Sequence, residues 1–272
     1  MAADRENTRR GRAAYAAAAV VALALLTACG GPAEMPDDAA HAPASDSPAA
    51  DGTSDDRAVT TPRVAVAAGV LQAAGLGFDL SSEATSAQLE QLREDPADPM
   101  DGVVVAPSSC AGPLEQMNWS PTLVADSADE AALTQFRNED VAAIGSLEVA
   151  RIDDREGLDA HYATVRTLLD ECSTVTLNLQ RPGDDGAVVP TSGPLKHSEP
   201  ETGYETDSAV FWSLLPNHDQ QQQSLVLIRE AGDYVAMVSF TGPENISDPE
   251  FTQMAESVLE ITVLELEAQQ ER

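Results

Sequence analysis

A chain of 272 residues with 46 acidic against 15 basic groups carries a formal charge of −31. Such a surface repels phosphate backbones, which excludes nucleic acid as a partner, and it repels anionic lipid headgroups in the same way. Hydrophobic residues make up 43% of the chain and aromatics only 4%, so any core is built mostly from aliphatic side chains.

The first 28 residues read as an export signal. Arg5, Arg9, Arg10 and Arg12 form a basic stretch ahead of an apolar run from Ala13 to Ala28. That run is shorter than the about 20 residues a spanning helix needs, and suits a signal-peptide core. It ends in Leu26-Thr27-Ala28-Cys29-Gly30, which resembles the bacterial lipobox. Small residues before the cut let the backbone enter the peptidase, and a thiol at the first mature position carries the diacylglycerol thioether. The expectation is cleavage before Cys29, lipidation of Cys29, and a lipid-anchored location on the outer face of the cell membrane. An ordinary secretory signal with an incidental cysteine is the alternative. Arg9-Arg10 lacks the apolar pair expected after a twin-arginine signal, and the export route stays open between that and general secretion.

After the lipidated cysteine, residues 30–62 consist almost wholly of Ala, Pro, Asp, Ser, Gly and Thr without apolar periodicity. They bury too little surface to offset their ordering entropy and read as an acidic, disordered tether. Its root-mean-square span as a flexible coil is about 30 Å.

Residues 63–272 read as one domain. Arg63 to Leu76 is Ala/Val-rich and predicts a short helix ending at Gly75 or Gly77. A second helix fits Ser86 to Arg93, stopped by Pro96, and Val103-Val104-Val105 predicts a short strand. Ala131 to Phe136 reads as one or two helical turns. Val141 to Ile152 is consistent with a strand. Gly157 to Glu171 carries Leu158, Tyr162, Val165, Leu168 and Leu169 at helical spacing, which places His161 on the exposed side. Val175, Leu177 and Leu179 alternate as a half-buried strand. Residues 181–206 read as irregular. Strands follow at Ala209 to Leu215, Ser224 to Arg229 and Tyr234 to Phe240, the last two joined through Gly232 at a positive φ. Pro249 opens a final helix. Hairpins with flanking helices predict an α+β domain with a mostly antiparallel sheet of about five to six strands.

With Cys29 lipidated, Cys110 and Cys172 remain as an even pair in an oxidising compartment, where a disulfide is the natural reading. It closes a loop of about 62 residues, worth about 4 kcal/mol in the chain-entropy model. Two buried free thiols are an alternative. A metal site is a poorer one, because no histidine lies within a few positions of either cysteine.

The run Gly102-Val103-Val104-Val105-Ala106-Pro107-Ser108-Ser109-Cys110-Ala111-Gly112-Pro113-Leu114, and the later Cys172-Ser173-Thr174-Val175 after a helix, resemble a known family. This is the actinobacterial extracellular sensor-type domain, found outside the membrane on receptor serine/threonine kinases and as free-standing lipoproteins. The resemblance implies a disulfide-bonded α+β domain with a cleft for an unidentified ligand. Members often carry four domain cysteines and a tryptophan just before the second one. Here only Cys110 and Cys172 occur, and Leu168 and Leu169 stand before Cys172, so only the cysteine pair carries over.

No catalytic motif is found: no Gly-x-Ser-x-Gly, phosphate-binding glycine loop or His-Glu-x-x-His. His41 falls in the tether, and His197 and His218 in polar loops. The carboxylate pairs Asp55-Asp56, Asp153-Asp154 and Asp184-Asp185 read as solvated turns, and Asp184-Asp185-Gly186 lacks the alternating ligands of a calcium loop. No cofactor and no metal are expected. Phe211 and Trp212 face opposite sides of a predicted strand, so one enters the core while the other meets a second layer, a cleft or solvent. They are the candidate ligand contacts. The leading functional reading is a non-enzymatic, cell-surface lipoprotein that binds a small molecule, wall component or envelope protein. The alternative is an envelope structural or assembly factor without a small-molecule site, and behind it a hydrolase.

Overall fold

The computed structural model describes residues 60–98, 100–140, 142–179, 191–214, 222–243 and 248–271. Cys29, the leader, nearly all of the tether, His41, His218, Asp55-Asp56 and Asp184-Asp185 lie outside them. Among the described residues, six helices flank one antiparallel sheet. The helices are α1 (Thr61–Gly75), α2 (Ser86–Glu94), α3 (Ala111–Gln116), α4 (Pro121–Val124), α5 (Glu156–Glu171) and α6 (Asp248–Gln270). The strands are β1 (Leu80–Glu83), β2 (Val103–Ala106), β3 (Ala131–Asn138), β4 (Ala143–Arg151), β5 (Val175–Leu179), β6 (Thr191–Ser198), β7 (Ser208–Leu214), β8 (Gln222–Ala231) and β9 (Tyr234–Pro243). They lie in the order β1-β3-β4-β9-β8-β7-β6-β5-β2. The α+β class is as the sequence predicts, but the sheet has nine strands and not five to six.

Three strands account for the difference. Ala131 to Phe136 forms β3 and not helical turns: its alanines, Leu133 and Phe136 are buried on both faces of the sheet. The segment read as irregular contains β6, between β5 and β7. β1 is a short edge strand with every residue exposed.

One face of the sheet carries the larger core. Helices α1 and α6 lie side by side over β3, β4, β8 and β9. There Phe78, Phe136 and Phe240 meet edge to face at 5.0–5.4 Å, with Phe251 at 6.2 Å from Phe240. This geometry opposes the positive ring edge of one phenylalanine to the negative face of the next. Gly145 leaves room for the cluster, because a Cβ there would overlap the Phe136 ring. Gly69 does the same for the α1–α6 contact, where a side chain would strike Thr262 and Leu147.

The other face carries two smaller cores. One, around Leu89, Leu133, Ile152, Leu158 and Met237, lies under α2, α4 and α5. The other gathers Leu168, Val175, Leu177, Leu195 and Trp212 around Cys110 and Cys172. Those cysteines form a disulfide with Cα atoms 5.9 Å apart. Cys172 caps the end of α5, and β5 follows at once to pair with the edge strand β2. The bond therefore fixes that edge of the sheet to the helix above it.

Local signals agree with these elements. Pro62 sits in the first turn of α1, where its missing N–H costs nothing. A capping box starts α2: Gln88 N donates to Thr85 Oγ1 (3.2 Å) and Thr85 N to Gln88 Oε1 (2.7 Å). Asp154 accepts from Glu156 N at 3.0 Å at the start of α5, and Asp153 pairs with Arg151 at 3.2 Å, so this acidic pair serves the turn. Gly232 adopts φ +60° between β8 and β9.

Candidate functional site

Two places on the sheet concentrate polar chemistry. The first is an open pocket of about 460 Å³ lined by Lys196, His197, Ser198, Phe211, Ser213, Gln223 and Asp248. Register explains how they meet. Lys196 pairs with Ser213 and Ser198 with Phe211 across β6 and β7, and Ser213 pairs with Gln223 across β7 and β8. Side chains directly opposite in a sheet share a face, so Lys196, Ser198, Phe211, Ser213 and Gln223 face the same way. Asp248 comes from the first turn of α6. Gln223 Nε2 donates to the Pro243 carbonyl at 3.3 Å, which orients the amide.

Phe211 is half-buried at the margin of the large core, on the pocket side. Trp212 points to the opposite face and packs, 6% exposed, beside the disulfide. The two candidate residues thus separate, one to a pocket and one to a core. His197 does not lie in an irregular segment. It stands in β6, 5.7 Å from the Trp212 ring, with Nε2 3.1 Å from the Leu168 carbonyl oxygen.

The second place is a buried polar seam across the other face. Ser146 and Ser239 hydroxyls meet at 2.7 Å, as do those of Ser224 and Thr241. Glu148, 2% exposed, accepts from Thr122 N at 3.3 Å and Thr122 Oγ1 at 2.5 Å, which fastens α4 to β4. Above this face His161 stacks on Trp119 with centroids 4.5 Å apart and an interplanar angle of 19°. The exposed position expected of His161 is incorrect: it is 6% exposed, and burial pushes its pKa down to about 4. Its Nδ1 and the indole N–H groups of Trp119 and Trp212 find no hydrogen-bond partner among the described residues. Tyr162 beside it donates to Glu230 at 3.2 Å. Its hydroxyl is held well above the usual phenol range, first by burial and then by the nearby carboxylates.

Among the described residues no group of three or more His, Cys, Asp or Glu is placed to hold a metal ion. Among them, too, no helix is long and apolar enough to cross a membrane.

No family model matches the sequence, and no curated protein does. Among solved structures, the chain is similar to the extracellular domain of PknH from Mycobacterium tuberculosis at 12% identity and a TM-score of 0.37, covering 73% of this chain and 91% of that one. An uncharacterized protein from Mycobacterium smegmatis is similar at 14% identity and a TM-score of 0.39, with 74% and 96% covered.

Proposed function

We propose that the chain is a lipid-anchored protein on the extracellular face of the cell membrane whose domain, residues 63–272, binds a ligand or partner without transforming it, as a sensor-type domain does. The observation that supports this reading is the pocket over β6, β7 and β8. Its volume of about 460 Å³ is within the range of small-molecule sites. Its lining offers a ring, a cation, a carboxylate, hydroxyls and an amide, which are recognition groups. The one imidazole of the lining, His197, pairs across the sheet with Trp212 and projects to the opposite face from Ser198 and Ser213, with Nε2 3.1 Å from the Leu168 carbonyl oxygen, so it is not aimed at a pocket hydroxyl as a general base would be.

Two measurements test the reading. Native mass spectrometry of the full chain from its own host is expected to find a co-purified small molecule. A chain that is uniformly empty, and whose melting temperature no host extract raises, would favour the envelope structural factor. For the anchor, Cys29→Ala is expected to release the protein from membranes into the medium. Retention of that variant on membranes through a high-salt wash would show another anchor.

A further inference from the structure

Lys196 is the only lysine in the chain, among 46 acidic residues. Five arginines, Arg63, Arg137, Arg151, Arg155 and Arg229, are tied to carboxylates. Lys196 makes no ion pair among the described residues although it is exposed, and Asp248 in the same pocket makes none either. The two come from different elements, β6 and α6, and no ion pair joins them. Among the described residues, the pocket therefore presents one cation and one carboxylate with no ion-pair partner. Opposite Ser198, and two residues along β7 from Ser213, stands Phe211, the one phenylalanine of five outside the aromatic quartet of the core.

We propose that this pocket takes a zwitterionic small molecule with an apolar side group, of amino-acid or dipeptide size. The inference rests on the ligand-binding reading above and specifies its ligand. The field of a chain at −31 repels any net anion before it reaches the pocket, and draws net cations to every part of the surface alike. A net-neutral dipolar ion escapes both effects and is selected only by local charges. Lys196 attracts its carboxylate and rejects cations, Asp248 attracts its ammonium and rejects anions, and Phe211 supplies the apolar ledge. Like-charge rejection of this kind gives specificity that attraction alone does not.

The test uses three probes with one apolar body and different charge: phenylalanine, 3-phenylpropanoate and 2-phenylethylamine. Reductive methylation of the full chain with carbon-13 formaldehyde keeps the lysine charge and gives one lysine reporter, identified by its loss in Lys196→Gln. Phenylalanine is expected to shift that signal saturably, with an affinity at least about tenfold tighter than either singly charged probe in physiological salt. Asp248→Asn is expected to narrow the preference for phenylalanine over 3-phenylpropanoate, since the local attraction for the ammonium is lost while the field of the chain still disfavours the anion. In Lys196→Gln, followed by saturation transfer from protein to ligand, 2-phenylethylamine is expected to gain on phenylalanine. Both substituted side chains are exposed, so folding is not at stake. If either singly charged probe shifts the signal as tightly as phenylalanine, the zwitterion assignment is overturned while ligand binding stands. If none of the three moves it at about 50 mM, far above ordinary ligand affinities, the assignment is overturned. A small molecule found by native mass spectrometry would then still sustain ligand binding at another place.

Discussion

His161→Phe separates the buried imidazole from every other titrating group of this acidic chain. In the native state His161 is buried on the inner side of α5, stacked on Trp119, and burial lowers its pKa from 6.5 to about 4. The unfolded chain therefore binds a proton that the folded chain refuses over that interval. Stability is complete above pH 6.5, falls as the pH drops, and levels off below about 4. A tenfold difference in proton affinity is worth about 1.4 kcal/mol, so the full loss is about 3 kcal/mol, of which about 2.5 kcal/mol is reached by pH 4.5. Phenylalanine keeps a ring against Trp119 and carries no proton. Urea unfolding of wild type and variant, followed at pH 7.5, 6, 5 and 4.5 at constant ionic strength, yields two stability profiles. Protonation of carboxylates, and the relief of their mutual repulsion, act on both profiles equally and cancel in the difference. The profiles are expected to run together near neutrality and diverge by about 2.5 kcal/mol at pH 4.5, the wild type falling below the variant. Parallel profiles would mean that the native imidazole accepts its proton as readily as the unfolded one, and the buried placement would be wrong.

Replacing Cys110 and Cys172 together by alanine is expected to lower unfolding stability by about 4 kcal/mol, the cross-link entropy of this loop. Peptide mapping without reductant should recover the two cysteine peptides linked, and both thiols free in alkylated native protein would refute the bond. Added NaCl is expected to raise the melting temperature, mostly below about 0.5 M, as the screening length contracts toward roughly 3 Å at 1 M. KCl should act alike, and a flat melting temperature across the series would show that the acids are too dispersed to repel one another.

Composition and periodicity make α1, α2, α5, α6 and the alternating strands legible in the sequence, whereas α3 and α4, six and four residues long, are too short to show a period. Where periodicity misleads at β3, the cause is burial on both faces. β3 lies one strand in from the edge, with helices above and below it, so Ala131, Ala132, Leu133 and Thr134 are buried in succession and do not alternate. β6 is hidden by Gly193 and Pro194, and β1 has no buried residue to announce it. The burial of His161 is legible in principle. Leu158, His161, Val165 and Leu168 recur at three, four and three residues, and all four are buried, so the stripe runs through the imidazole. Its polarity conceals it, and Tyr162 fits the apolar pattern in its place. The opposite orientations of Phe211 and Trp212 follow from strand geometry. The pocket beside Phe211 does not, because Lys196 and Asp248 reach it through β6 and α6, remote in sequence.

The position of the pocket follows from a mismatch of widths. Two helices packed side by side at 8–10 Å spacing cover about 20 Å, or roughly four strands at 4.8 Å each. That is the extent of the α1–α6 layer, which rests on β3, β4, β9 and β8. A nine-stranded sheet is about twice as wide, and beyond β8 the face bearing Phe211 lies outside the main contacts of the α1–α6 layer, where the first turn of α6 reaches it at Asp248. On this overhang Val104 stands 50% exposed in the edge strand, and Lys196 and Ser198 are exposed in β6. A sheet covered on one face only is free to twist and shift. Here the opposite face compensates: Trp212, Leu195, Leu177 and Val175 pack around the Cys110–Cys172 bond and against α5. The disulfide therefore braces strands whose other surface lies outside the main contacts of the α1–α6 layer. The same arrangement gives Phe211 and Trp212 their different roles, since β7 is where the helix layer ends on one face and the disulfide core begins on the other.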